Sequence, residues 1–185
     1  MESVFLSGKK ELDIYVNPQR QKLLRCMRVA GVPMTPKQIA DRIGVSASSV
    51  QHHIGRLMEI GIVALSHTEK IHGITAKYYR VLPIEVRIGG FTRDEHREER
   101  LALLQASLSQ VFTGFSDYCE KRSAKGPAHA QFGDMLSGII RLSNEEAGEL
   151  YAMVRGFLSE HEREESQGEA WEYALIAYPV VKDHE

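Results

Sequence analysis

The sequence predicts a mainly helical α+β chain, and three observations predict it. Three short amphipathic helices follow one another before residue 61, each with its own start and stop signals. The apolar pattern then changes to β-rich runs over residues 62–82, which marks a two-stranded hairpin. Beyond Gly89-Gly90 one apolar stripe runs from Leu101 to Tyr118 along a much longer helix. Three helices and a hairpin make a winged helix-turn-helix over residues 1–88. Residues 89–185 are then a second α+β domain led by the long helix, expected to dimerise and to be the place for any effector.

Each element has a local cause. Asn17 precedes Pro18, an N-cap followed by proline at the first helical position. Leu23, Leu24, Met27 and Ala30 recur at helical spacing until Gly31 ends the run. Thr35 opens the second helix, and Gln38 is placed to reach back to it in a capping box. Ile39, Ala40 and Ile43 form its apolar face, and Gly44 stops it. Ser46 caps a third helix reaching about Ile60, with Val50, Ile54, Leu57 and Met58 turned inward. Gly61 suits the left-handed position after its end. Ile62, Val63 and Leu65 begin the first strand, Gly73 lies in the turn, and residues 77–82 form the second strand before Pro83.

The second domain begins with a helix from Thr92 to about Arg122. Its stripe of Leu101, Leu104, Leu108, Val111, Phe115 and Tyr118 has spacings of 3, 4, 3, 4 and 3, the repeat of a coiled-coil seam. A helix of ~30 residues spans ~45 Å, more than so small a chain needs internally. Leu103, Phe112 and Cys119 broaden the stripe and keep packing on its own domain open as an alternative. Residues 123–133 read as a loop, and residues 135–142 as a strand. Ser143 and Glu146 form another capping box, opening a helix with Ala147, Leu150, Tyr151, Val154, Phe157 and Leu158 on one face. Residues 171–178 read as a closing strand before Pro179. The order is helix, strand, helix, strand.

Composition narrows the function classes. With 43% hydrophobic and 26% charged residues, the 185-residue chain is of ordinary globular type. Residues 1–90 carry 13 Lys and Arg against 7 Asp and Glu, a balance of +6, while residues 91–185 carry −8. Only the first half is suited to a polyanion. Cys26 and Cys119 stand apart, with no CxxC or Cys/His cluster, so neither a disulfide framework nor a zinc finger is expected. His161 and Glu165 share a helical spacing but lack a third ligand, so no metal or cofactor is expected. There is no signal-peptide run and no stretch of ~20 apolar residues, so no membrane association is expected and a cytoplasmic location is. No GxSxG, HExxH, P-loop or GxGxxG is present, and Cys119 lies in an apolar helix, so no enzyme is expected.

Residues 35–63 carry the function. Two short helices about a tight turn at Gly44 form a helix-turn-helix whose second helix enters a major groove. With Val50, Ile54 and Leu57 inward, Ala47, Ser48, Gln51, His52, Gly55 and Arg56 are left toward solvent. Gln51, His52 and Arg56 offer donors to base edges or phosphates, and the small residues allow close approach. Thr35 and Ser46 lie at helix N-termini, where free N–H groups favour phosphate. Lys37 and Arg42 lie on a solvated face with phosphate in reach, and His53 is read as a half-buried packing residue.

The stretches Ile43-Gly44-Val45-Ser46, Ser49-Val50-Gln51-His52-His53-Ile54, Leu57 and Glu59-Ile60-Gly61-Ile62-Val63 resemble the recognition region of ArsR-type winged helix-turn-helix regulators. Gly73-Ile74-Thr75-Ala76-Lys77-Tyr78-Tyr79-Arg80 resembles the returning wing. The resemblance covers residues 17–82, about a third of the chain. It implies a homodimer bound to double-stranded DNA as a transcriptional repressor, with Ser48, Ser49, Gln51 and His52 at the DNA. It places Lys70, His72 or Lys77 near the minor groove or backbone. The paired cysteines of that family's metal sensors are absent here. A winged helix serving as a protein-interaction module, without sequence-specific DNA contact, is the alternative from another class.

Overall fold

The computed structural model describes residues 2–6, 8–71, 73–88, 95–123, 133–161 and 168–180. Its elements, in chain order, are β1 (Glu2–Phe5), α1 (Lys9–Val16), α2 (Pro18–Ala30), α3 (Pro36–Ile43) and α4 (Ala47–Glu59). They continue as β2 (Val63–Ile71), β3 (Ile74–Val81), β4 (Ile84–Arg87), α5 (Arg97–Ser123) and α6 (Asn144–His161). The chain divides into two compact units, Met1–Leu101 with Ile139–Ala170, and Ala102–Gly138 with Trp171–Glu185.

The first unit is a winged helix with additions, and its helix ends follow their capping chemistry. The Asn17 side chain accepts from the N–H groups of Gln19 and Arg20, and Gly31 closes α2 at φ 65°. Thr35 and Gln38 exchange both hydrogen bonds of the capping box, at 3.2 and 2.8 Å. The turn between α3 and α4 needs a left-handed residue, and Gly44 supplies it at φ 73°. Lys22 Nζ donates to the Ile43 carbonyl at 2.9 Å, serving an otherwise unpaired acceptor at the end of α3.

Apolar faces from α2, α3 and α4 meet in one core. Leu23, Leu24, Met27, Ile39, Ala40, Val50, Ile54 and Leu57 are all at most 3% exposed. Ile14, Met34, Ile62, Val63, Tyr79 and Ile84 join them. Met58, expected inward, is 42% exposed. Val50, Ile54 and Leu57 already occupy the buried face of α4, and Met58 lies about 100° beyond Leu57, on the open side.

The hairpin falls within residues 62–82, and its first strand runs on to Ile71 while its second begins at Ile74, ahead of residue 77. β2 and β3 pair antiparallel from Val63↔Val81 to Ile71↔Ile74, with a bulge between Leu65 and His67. Gly73 has φ 82° in the turn. Met34 adds an isolated bridge to Tyr79, with both N–H···O bonds at 2.9 Å, and ties the approach to α3 to the wing. Three elements were not read from the sequence: β1, α1 and β4. β1 and β4 pair in parallel, Glu2↔Ile84 through Phe5↔Arg87, bringing the start of the chain to the end of the wing. α1 buries Leu12 and Ile14.

Within the same unit, Arg155 of α6 lies 3.5 Å from Glu85 of β4. The box of Ser143 and Glu146 that caps α6 is present. Ala147, Leu150, Tyr151, Val154 and Leu158 are half-buried, whereas Phe157 is exposed and stacks on His161.

The long helix is α5. The helix expected from Thr92 begins at Arg97, after a turn at residues 95–96; residues 92–94 lie outside those described, as does most of the loop of 123–133. The two segments expected as strands, residues 135–142 and 171–178, form no strand; they run without regular structure and exposed. β-forming composition alone does not make a strand.

Candidate nucleic-acid interface

The geometry of α4 sorts its side chains by angle. The buried stripe of Val50, Ile54 and Leu57 fixes the helix on the core. At 100° per residue, Ser48, Gln51, His52 and Gly55 then fall together on the opposite side, and all four are exposed. A methyl group added at Gly55 meets no atom of the protein within 4 Å. The centre of this face is therefore open and free of lysine, arginine and carboxylate, with polar groups on three of four positions.

The neighbours of that face are engaged locally. Ser46 Oγ accepts from Ser49 N–H at 3.2 Å and lies 3.0 Å from Ser48 Oγ, so the cap hydroxyls are shared. Ser49 is half-buried, and Ala47, expected at the DNA, packs against the core cluster. Gln51 Nε2 donates to the Tyr79 hydroxyl at 3.2 Å. That bond links the recognition helix to the base of the wing and leaves the Gln51 carbonyl oxygen as an acceptor. Sequence reasoning did not find it, since Tyr79 reads as an ordinary strand aromatic.

The cations expected at phosphate differ in freedom. Arg56 forks both Glu59 oxygens at 2.8 and 2.7 Å, and Lys10 of α1 lies 3.3 Å from the same carboxylate. Those hydrogen bonds hold the Glu59 carboxyl below the usual range. Lys37 pairs with Asp41 one turn on. Thr35 is half-buried and occupied as a cap. On the wing, Lys70 stands opposite Thr75, and Lys77 opposite Thr68. Directly opposed residues share a face, so both lysines and both threonines lie on one side of the hairpin. The other side carries Ile71, Ile74, Glu69 and Ala76, with the His67 and Tyr78 rings stacked at 4.5 Å. The Tyr78 phenol is raised by desolvation first and by Glu69 second. His72 lies outside the described residues.

His53 lies behind the face. Arg20 Nη1 is 3.5 Å from its Nδ1, while the same guanidinium donates to the carbonyls of Asp13 and Ile14 at the end of α1. Burial first, then Arg20, then His52, lower the His53 pKa below its ordinary value. A neutral ring accepting at Nδ1 fits this surrounding, in keeping with a packing role.

Among the described residues, no helix is long and apolar enough to cross a membrane, and no group of three or more His, Cys, Asp or Glu could hold a metal ion. The seam residues Leu101, Leu104 and Leu108 of α5 are exposed, and Val111, Phe115 and Tyr118 are half-buried.

Comparison with known proteins finds a family model over part of the chain and similarity to solved structures. Residues 15–66 match a family model described as a helix-turn-helix domain, so α2, α3, α4 and the start of β2 form such a domain. No protein of curated function matches the chain. Among solved structures, the crystal structure of the adhesin competence repressor from Streptococcus pyogenes is similar at 13% identity. That alignment covers 82% of this chain and 84% of the other, with a TM-score of 0.33.

Proposed function

We propose that the chain is a dimeric transcriptional regulator, acting as a repressor, that binds double-stranded DNA through α4 and the wing. The observation that carries this reading is the face of Ser48, Gln51, His52 and Gly55. It is open to solvent and held rigidly by a buried stripe on the far side of the same helix. In the major groove, Gln51 and His52 meet base edges, and Ser48 and Gly55 permit close approach. The N–H groups at the starts of α3 and α4, behind Thr35 and Ser46, face phosphates together with Lys37. Lys70 and Lys77 contact the backbone beside the wing. Arg56 contributes to binding only by leaving Glu59, an exchange at an exposed surface pair that costs little.

Dimerisation through the seam of α5 sets two recognition helices to address half-sites about 34 Å apart. The exposed Leu101, Leu104 and Leu108 support this over internal packing of the seam. The ArsR-type likeness of residues 43–63 supports the repressor reading and a cytoplasmic place of action. An effector binding the part beyond residue 88 would shift the dimer between DNA-competent and incompetent forms.

Selection from a random duplex pool at two salt concentrations tests the reading. An enriched palindrome that survives the higher salt is the expected result. Weak binding with no enriched motif, falling away steeply with salt, leaves only electrostatic contact and favours the protein-interaction module instead.

A further inference from the structure

Gln51 is the exposed residue of α4 that the wing holds by its side chain. Its backbone is fixed, since Val50 beside it and Ile54 one turn on are fully buried. Its side chain is long and among the more costly to immobilise. Here Nε2 donates to the Tyr79 hydroxyl at 3.2 Å. Tyr79 makes a firm post for that bond. Its side chain is 4% exposed and belongs to the core cluster. Its backbone N–H and carbonyl are both bonded to Met34 at 2.9 Å, and β3 pairs it with Leu65 of β2. A primary amide has two N–H donors and one carbonyl acceptor on different sides of Cδ. With the nitrogen held at the wing, the oxygen is turned away from the hydroxyl, and the carbonyl and one N–H are left to meet a base.

We propose that Tyr79 is a positioning residue for base readout, holding the Gln51 amide oxygen outward so that Gln51 selects adenine in the major groove. The inference rests on the reading of α4 as the recognition helix and names what one of its residues reads. The groove edges decide among the four bases. Adenine offers an N6 amino donor beside the N7 acceptor, which satisfies both the carbonyl and the remaining N–H of the amide. Cytosine offers its N4 amino donor to the carbonyl alone. Guanine offers two acceptors, N7 and O6, and thymine offers O4, so an outward oxygen faces an acceptor at either and is repelled. The Tyr79 hydroxyl thus has two effects. It orders the side chain before DNA arrives, which lowers the entropy lost on binding. It also makes the amide flip that would suit guanine or thymine break an existing hydrogen bond.

The test uses full-length protein, the duplex recovered by selection, and duplexes carrying each of the four base pairs at every position of that site. Gln51→Ala identifies the position Gln51 meets, as the one where base preference is lost. The parent is expected to prefer adenine there by about 5- to 150-fold. Tyr79→Phe keeps the buried ring and removes only the hydroxyl. It is expected to reduce that preference by roughly 2- to 10-fold, with preferences elsewhere, affinity for random duplex and amide-exchange protection across α2–α4 unchanged. In a Gln51→Ala background, Tyr79→Phe should then have no further effect on base preference. Guanine or thymine favoured at the Gln51 position overturns the inference, because the amide then presents its nitrogen. Tyr79→Phe that weakens all four bases equally, or changes none, also overturns it, while the reading of bases by Gln51 stands. A Gln51→Ala protein with every base preference intact removes Gln51 as a reader and this inference with it.

Discussion

Gly55→Ala separates the stability of α4 from its use. Gly55 lies inside a helix of 13 residues, where glycine costs about 0.5–1 kcal/mol relative to alanine through backbone entropy. The new methyl meets nothing within 4 Å in the free protein, so no steric cost offsets that gain. Stability should rise by about 0.5–1 kcal/mol, a shift of roughly 1–4 °C in Tm for a chain of this size. If α4 lies in a major groove, the same methyl points at the DNA between Gln51 and His52. A methyl forced into a close-packed contact costs about 1–3 kcal/mol, or roughly 5- to 150-fold in Kd. The assay is thermal and urea denaturation beside titration of the selected operator. A variant that is more stable and binds equally well refutes the placement of this face against the groove. A variant that is less stable refutes the open geometry at Gly55.

Four further outcomes follow from the same geometry. Gln51→Ala with His52→Ala should weaken operator binding while leaving the sedimenting dimer intact; unchanged affinity would count against α4 as the reader. Lys70→Ala with Lys77→Ala should lower affinity evenly across sequences and reduce the slope of log K on log salt by about 0.9 for each phosphate no longer neutralised, measured on operator and random duplex. Leu104→Glu with Leu108→Glu should give monomer by sedimentation, and a persistent dimer would mean that the seam is internal. His53 binds its proton less readily when folded than unfolded, so the unfolded state takes up more protons as pH falls. Its contribution to stability is therefore present above about pH 6.5 and is lost as pH falls through the lowered folded value. His53→Gln should flatten that part of a stability–pH curve from urea melts, and an unaltered curve would remove His53 as its source.

The winged helix was legible because its signals are local. Asn17-Pro18, Thr35 with Gln38, Ser46, and glycines 31, 44 and 61 act within a few residues of themselves, and the helix boundaries fall where they point. β1, β4 and the Met34 bridge were not legible because each depends on a distant partner. Met34 pairs with Tyr79 across 45 residues, and Glu2 with Ile84 across 82. Short segments of four residues carry too little pattern to announce such pairing. At the site, helical geometry places Ser48, Gln51 and His52 together as spacing alone suggested. What spacing cannot show is that Arg56 is occupied by Glu59, that Ala47 leans on the core, or that Gln51 is tied to Tyr79. Residues 135–142 and 171–178 differ in kind. Their β propensity is plain in the sequence, but propensity alone does not make a strand.

The distribution of charge across the interface gives the proposed binding mode a particular salt behaviour. The reading face of α4 contains no lysine, arginine or carboxylate among Ser48, Gln51, His52 and Gly55, while the cations stand at its margins and on one face of the wing. Phosphate contacts release counterions and weaken as salt rises; hydrogen bonds to base edges from neutral donors do so far less. Two of the marginal cations, Lys37 and Arg56, start in pairs with Asp41 and Glu59, so each phosphate they reach also frees a carboxylate near the DNA. Their net electrostatic gain is smaller than that of Lys70 or Lys77 on the exposed wing. Affinity for random duplex, which draws on phosphate alone, should therefore fall faster with salt than affinity for the operator. The ratio of the two should widen over the same range. A ratio independent of salt would mean that the bases are read through charged groups, and the neutral face of α4 would then not be the reader.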